Sequence, residues 1–274
     1  MSTKEASEKF KHFENPPLIE IIAELRWNVA TQMLSANSVQ IPEYVKVSDE
    51  HLFRNFAEKV APLGYNQVER LLPPGLPFFP FQPVYRYRKE NSSSDPTLYQ
   101  IGSGILSVNI TPPYDGWNNF QHIIKQGIDL LLESQPQDTA EKISISSLSL
   151  RYINAFKSDL TQGEKVNSFL INTLGFNIQL PSVLLEQATS GDDIKPLLKL
   201  IIPLQENQQM TLVMAEGKIN EEDAILMDIT VSVNSEPNLS ANALMNAFNG
   251  ARKSIHTVFC KLTEKLHPLM EIKK

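Results

Sequence analysis

Glu20, Glu24 and Arg26, together with Arg151, Tyr152 and Asn154, are the residues of this chain best suited to oriented recognition of a ligand. A guanidinium offers planar, forked donors that match a carboxylate or phosphate, and an amide supplies donor and acceptor together. The first three fall on the polar side of an alternating segment at residues 18–27, and the other three lie within a second such segment at residues 143–156. If these segments are neighbouring strands, the six residues form a candidate site for a small anion or a peptide. The same residue types also serve as a structural cross-strand ion pair. On a regular strand Arg151 falls opposite Tyr152 and Asn154, so one surface cannot hold all three.

Two other groups have chemical potential. Tyr85-Arg86-Tyr87-Arg88-Lys89 interleaves aromatics with cations, the combination that stacks bases and holds phosphates, which makes Arg86, Arg88 and Lys89 candidate nucleic-acid contacts. The same pattern suits an edge strand with tyrosines inward and charges outward, which discourages aggregation. Phe78, Phe79 and Phe81 sit in a segment, residues 71–83, too rich in proline for a central strand and too apolar for a free loop. It is expected to lie extended across apolar surface; left exposed, its phenylalanines would be candidate docking residues for a partner.

Standard catalytic motifs are missing. The five histidines form no His-x-x-x-His pair, and only His256 and Cys260 lie four apart on one helix; two ligands do not make a metal site. Gly102-Ser103-Gly104 lacks the spacing of a nucleophile elbow, and Gly102-x-Gly104-x-x-Ser107 lacks the third glycine of a dinucleotide fingerprint. There is no Walker loop. No metal, cofactor or catalytic residue is therefore expected.

The elements that must position these residues follow from periodicity. Residues 98–133 hold the clearest run: Leu106, Val108 and Ile110 alternate with Ser107, Asn109 and Thr111, Pro112 and Pro113 end the ladder, and Asp115 is placed to cap a helix. Phe120, Ile124, Ile128 and Leu131 then recur at helical spacing. Strands are expected at residues 18–27, 84–89, 97–111 and 143–156, with Gly102 and Gly104 marking a bulge or bend. A helix at residues 51–60 follows a Ser48/Asp49 cap, and a short one covers residues 166–174. Residues 197–204, 210–217 and 224–233 read as an antiparallel meander, and residues 240–266 as a long helix striped by Leu244, Phe248, Ala251, Ile255 and Leu262. The expected fold is α+β, with antiparallel sheets covered by two long amphipathic helices. A tail at residues 1–14 precedes two degenerate halves containing ββα units, residues 15–157 and 158–274, packed as one compact unit.

At 274 residues the chain is long enough to bury a large core without disulfide or metal support, and its single cysteine fits a reducing compartment. The net charge of −6, from 25 basic and 31 acidic residues, supplies no general attraction to phosphate. No apolar run reaches the length of a membrane span, and the polar N-terminus does not read as a signal peptide. A cytoplasmic location is expected, with no membrane association.

Three segments carry a family resemblance: Pro16-Pro17-Leu18-Ile19-Glu20, residues 100–109 (QIGSGILSVN), and Leu150-Arg151-Tyr152-Ile153-Asn154. The chain resembles a sporadically distributed prokaryotic family of uncharacterised proteins with P-P-L-x-E, Q-I-G-x-G-x-L-S-V-N and L-R-Y-I-N segments. The resemblance implies an α+β fold and a cytosolic setting and transfers no reaction. With no catalytic constellation in the chain, the expected role is a non-enzymatic binding or adaptor protein, accessory to a defence or stress locus. A protein partner or a homodimer is expected, and nucleic acid is not favoured. The alternative is an enzyme or nucleic-acid-processing factor whose polar strand-face residues converge only in three dimensions.

Overall fold

The computed structural model describes residues 12–29, 47–73, 76, 79–91, 95–135, 143–190, 194–234 and 240–272. The strands are β1 (Leu18–Trp27), β2 (Gln67–Arg70), β3 (Pro83–Arg88), β4 (Thr97–Gly102), β5 (Ile105–Ile110), β6 (Ile145–Phe156), β7 (Leu198–Pro203), β8 (Gln208–Ile219) and β9 (Glu222–Asn234). Among the described residues they form one antiparallel sheet in the order β2-β3-β4-β5-β1-β6-β9-β8-β7, where more than one sheet was expected. The helices are α1 (Val47–Val60), α2 (Trp117–Glu133), the short α3 (Ser158–Thr161), α4 (Val166–Ser168) and α5 (Ser182–Gln187), then α6 (Ala241–Leu262) and α7 (His267–Met270).

Period-two patterning separates the two faces of this sheet. In register, Val68, Tyr87, Tyr99, Val108, Ala23, Leu150, Val231, Met210 and Ile202 make one row running from edge to edge. Every member is apolar or aromatic, and the inner seven are buried. The long helices cover this face: α1 places Phe56 against Tyr87 and Tyr99, α2 packs on β5, and α6 packs on β6 and β9. The neighbouring row on the opposite face runs Gln67, Arg88, Leu98, Asn109, Ile22, Arg151, Thr230, Thr211 and Ile201. A one-residue slip of any inner strand would exchange the two rows, so the buried face sets the register.

Helix α2 buries Trp117, Phe120, Ile124, Gly127, Ile128 and Leu131. Gly127 permits close approach, since a Cβ there would stand 2.8 Å from Cε1 of Tyr99 and 3.2 Å from Cγ2 of Val108. Helix α6 buries Leu244, Met245, Phe248, Ala251 and Ile255, each large side chain contributing roughly 1.5–3 kcal/mol of burial. Its first turn is capped by Ser240, whose Oγ accepts from the Ala243 N–H at 3.2 Å.

Several expectations are corrected. Residues 97–111 are two strands, because Ser103 and Gly104 reverse the chain in a tight turn, with Gly104 at φ +75°. Gly102 admits the backbone of Gln82, whose carbonyl oxygen would lie 2.0 Å from an added Cβ. Gly116 stands at the N-cap of α2 in place of Asp115, and Ser48 and Asp49 lie within α1. Residues 169–173 form a π-helical turn directly after α4, so the helix expected over residues 166–174 is not regular. The last long helix ends at Leu262, and a 3₁₀ turn precedes α7. Strand β3 is not an edge strand; β2 pairs with it and takes that position.

The first half pairs β1 with both β5 and β6, its last two strands, and β6 pairs in turn with β9 of the second half. The sheet is thus continuous across residues 157 and 158. Among the described residues, no helix is long and apolar enough to cross a membrane.

Candidate functional site

Strands β1 and β6 are neighbours, as the candidate polar cluster requires, with Ile22 opposite Arg151 and Glu24 opposite Ser149. The cluster nevertheless divides between two faces. Glu20, Glu24, Arg26 and Arg151 lie on the polar face, whereas Tyr152 and Asn154 point towards the helices.

On the polar face the charges are engaged with one another. Arg151 donates to Asp228 through Nε at 2.9 Å and through a terminal nitrogen at 2.5 Å, and Thr230 donates to the same carboxylate at 3.3 Å. The bond to Asp228, the largest cause, raises the Arg151 pKa against the effect of burial. Glu20 accepts from Nδ2 of Asn109 at 2.8 Å, and Asn109 in turn accepts from Ser107 at 3.0 Å. Arg26 donates to Glu24 at 2.7 Å, and its guanidinium stands 5.3 Å from the centre of the Phe81 ring. This is a self-satisfied network of the kind that steadies a sheet.

Among the other candidates, Arg86 and Lys89 are also paired. Arg86 donates to Glu69 on β2 at 3.0 Å and shares the polar face with Arg88. Lys89 bonds Asp95 at 2.5 Å and stands 4.8 Å from the Tyr65 ring centre. Burial raises the Asp95 pKa, but the bonds from Lys89 and Thr97 outweigh it and hold the group below the usual carboxylate value. Phe79 and Phe81 are 49% and 40% exposed, so the burial expected for this segment is not found at either; Phe78 lies outside the described residues. Arg26 beside Phe81 explains part of the difference, because a cation over the ring lets it lie at a wet surface.

The helix-covered face of β6 is different. Its inward row begins with Leu148 and Leu150 and becomes polar at Tyr152 and Asn154. There the segment at residues 12–18, the loop at residues 112–117, β6 and α6 line an open cavity of about 730 Å³. The N-terminal wall is pinned by backbone bonds from Glu14 to Glu271 at 2.8 Å and from Asn15 to Met270 at 3.0 Å. The loop supplies Tyr114, after a cis Pro112–Pro113 bond, and Trp117, whose Nε1 donates to Asn249 at 2.7 Å. Helix α6 supplies Arg252, with its guanidinium 5.6 Å from the Trp117 ring centre.

Tyr152 joins these elements. Its side chain lines the cavity together with Tyr114 and Arg252, and both act on its hydroxyl. Burial pushes the Tyr152 phenol up to about 12, against the opposing pull of Arg252 and Tyr114. Burial likewise raises Tyr114, reinforced by Tyr152. Both phenols keep their protons at neutral pH. Asn154 is 3% exposed and donates to the Met227 carbonyl at 3.4 Å, tying the cavity floor to β9. One turn along α6 from Arg252, His256 also lines the cavity, and its Nε2 lies 3.4 Å from Sγ of Cys260.

Sequence reasoning missed Tyr114, Trp117 and Arg252. Arg252, His256 and Cys260 recur every four residues, a helical line visible in the sequence, but nothing local shows what stands opposite it. Among the described residues, no three His, Cys, Asp or Glu side chains converge as metal ligands would. Comparison with protein-family models and with curated proteins finds no match for this chain.

Proposed function

We propose that this protein is a non-enzymatic binding protein whose ligand is a small molecule held in the cavity between β6, α6 and the loop at residues 112–117. The observation that carries this reading is the convergence of Tyr114, Tyr152, Asn154 and Arg252, from three separate parts of the chain, on one space of about 730 Å³. That volume lies within the roughly 300–1,000 Å³ of small-molecule sites, and a few polar groups among apolar walls is their usual composition. Phenols held in the protonated form favour binding over proton abstraction, since a general base needs a pKa near the working pH. An enzyme built on Glu20, Glu24, Arg26 and Arg151 has less support, because those groups already bond to one another or to their sheet neighbours.

The two halves are best read as degenerate copies of one unit. The mirrored strand order about the β1–β6 seam, β5-β4-β3 beyond β1 and β9-β8-β7 beyond β6, supports a duplication whose second copy begins with β6 rather than at residue 158. The cavity draws walls from both halves, so the ligand would bridge them.

A thermal-shift screen of natural metabolites tests the binding reading. At least one compound should raise the melting temperature of the wild-type protein, and Tyr152→Phe or Arg252→Met should weaken that response. Stabilisation untouched by both substitutions would locate the ligand elsewhere and sink the reading.

A further inference from the structure

Asn154 narrows the ligand, on the premise that the cavity is the binding site. We propose that the cavity takes an uncharged, planar cyclic amide, whose ring edge carries an N–H beside a carbonyl. Asn154 is only 3% exposed and lines the cavity. Its amide holds two N–H donors and a carbonyl acceptor. Nδ2 donates to the Met227 carbonyl at 3.4 Å, and among the described residues this is the one bond the side chain makes. That bond also sets which way the amide points, because a carbonyl oxygen can face only the NH2 group. One N–H and the whole of Oδ1 are left without a protein partner.

An amide buried in that state gives up its bonds to water and regains little within the protein. A leucine would continue the inward row begun by Leu148 and Leu150 without that cost. The sheet is also irregular at this point. Leu18 is opposite Asn154 and Glu20 is opposite Ile153, so β1 carries Ile19 as an extra residue, a bulge of the kind that re-aims side chains beside binding sites.

The unspent donor and acceptor belong to one planar group. A cyclic amide, locked cis, presents a matching acceptor and donor on a single edge and can satisfy both. A carboxylate would set an oxygen against Oδ1, and an amine would leave the N–H of Asn154 unmatched. The rest of the lining suits a flat, uncharged body: Leu18, Trp117 and Phe259 supply apolar and aromatic wall, and Pro16, Pro112 and Pro113 form exposed parts of the lining.

The test uses the full chain and three matched bicyclic probes, followed by calorimetry. Isoquinolone carries the N–H beside its carbonyl, N-methylisoquinolone has that donor blocked, and isocoumarin has a ring oxygen in its place. Isoquinolone should bind at least about tenfold more tightly than either, since a buried acceptor left unpaired penalises the analogue that lacks the donor. Asn154→Leu should erase this preference while isocoumarin still binds. If the leucine variant does not fold, the wild-type comparison decides by itself. Isocoumarin or N-methylisoquinolone binding as tightly as isoquinolone would overturn the proposed class and leave the cavity reading standing. A preference that survives Asn154→Leu would overturn the role given to Asn154. No binding by any probe at millimolar concentration would overturn the class, and the metabolite screen then judges the cavity reading separately.

Discussion

Arg151 and Tyr152 are adjacent in the chain and face opposite sides of the same strand, and the two sides handle polarity in opposite ways. Arg151 meets Asp228 in a forked pair on the polar face, where the side chains remain 44% and 22% exposed. Tyr152 lines a cavity beneath the helices together with Tyr114 and Arg252. Charge density alone is therefore a poor guide to a site in this molecule. The face richer in ionic groups has matched them to one another, whereas the face with fewer polar groups gathers them around open space. Partners, more than residue types, separate a steadying network from a recognition site.

Substitutions along β6 and its neighbours can break or sharpen this contrast. The largest effect is expected at Leu150, fully buried in the apolar row, where Leu150→Ala should cost about 3 kcal/mol in urea denaturation through lost burial and a residual cavity. A cost below about 1 kcal/mol would mean that the helix layer does not grip this face. Gly127→Ala comes next. The new methyl gains about 1 kcal/mol in helix propensity but meets a Tyr99 ring held by bonds to Ile123 at 3.1 Å and Gln126 at 3.2 Å, so a net loss of about 1–2 kcal/mol is expected. Stabilisation by this change would show that α2 can lift away from β4 and β5.

Arg151→Met, on the polar face, should cost no more than about 1 kcal/mol, because water screens a half-exposed pair. A loss as large as that at Leu150 would make the network a structural keystone. Tyr152→Phe should change stability least near neutral pH, by less than about 1 kcal/mol, yet it should alter the alkaline limb. The folded-state pKa of Tyr152, about 12, lies above the unfolded value of about 10, so its contribution is fully present below pH 10 and is lost as pH rises towards 12. Wild-type urea midpoints should fall across that window, and the fall should be shallower in the phenylalanine variant. Equal slopes would show that the Tyr152 hydroxyl is not desolvated.

Much of the fold was legible because each element advertises its period. The alternation in residues 18–27 and 143–156 identified the central strands and their buried sides, and the stripe from Leu244 to Ile255 identified α6. The hairpin at Ser103-Gly104 was hidden by its length: a two-residue turn barely interrupts a run of alternating residues, so β4 and β5 read as one bent strand. The N-caps of α1 and α2 were misplaced for a related reason. Asp and Ser favour caps only by local hydrogen bonding, yet α1 already includes Ser48 and Asp49, and Gly116 holds the N-cap of α2.

The candidate site was legible only in fragments. Tyr152 and Asn154 were singled out for their polarity, and the argument from strand alternation correctly separated them from Arg151. Their partners Tyr114 and Arg252 lie 38 and 100 positions from Tyr152 in the chain (152 − 114 and 252 − 152), and only the closing of sheet and helix brings them together. By itself the sequence determined the long elements and their buried faces, though not the edge strand β2 or the split between β4 and β5, because these patterns depend on interactions between residues a few positions apart. Tertiary structure alone decided the single continuous sheet, the pairing of Arg151 with Asp228 and the cavity around Tyr152. Those depend on which distant side chains become neighbours, and local periodicity carries no record of that.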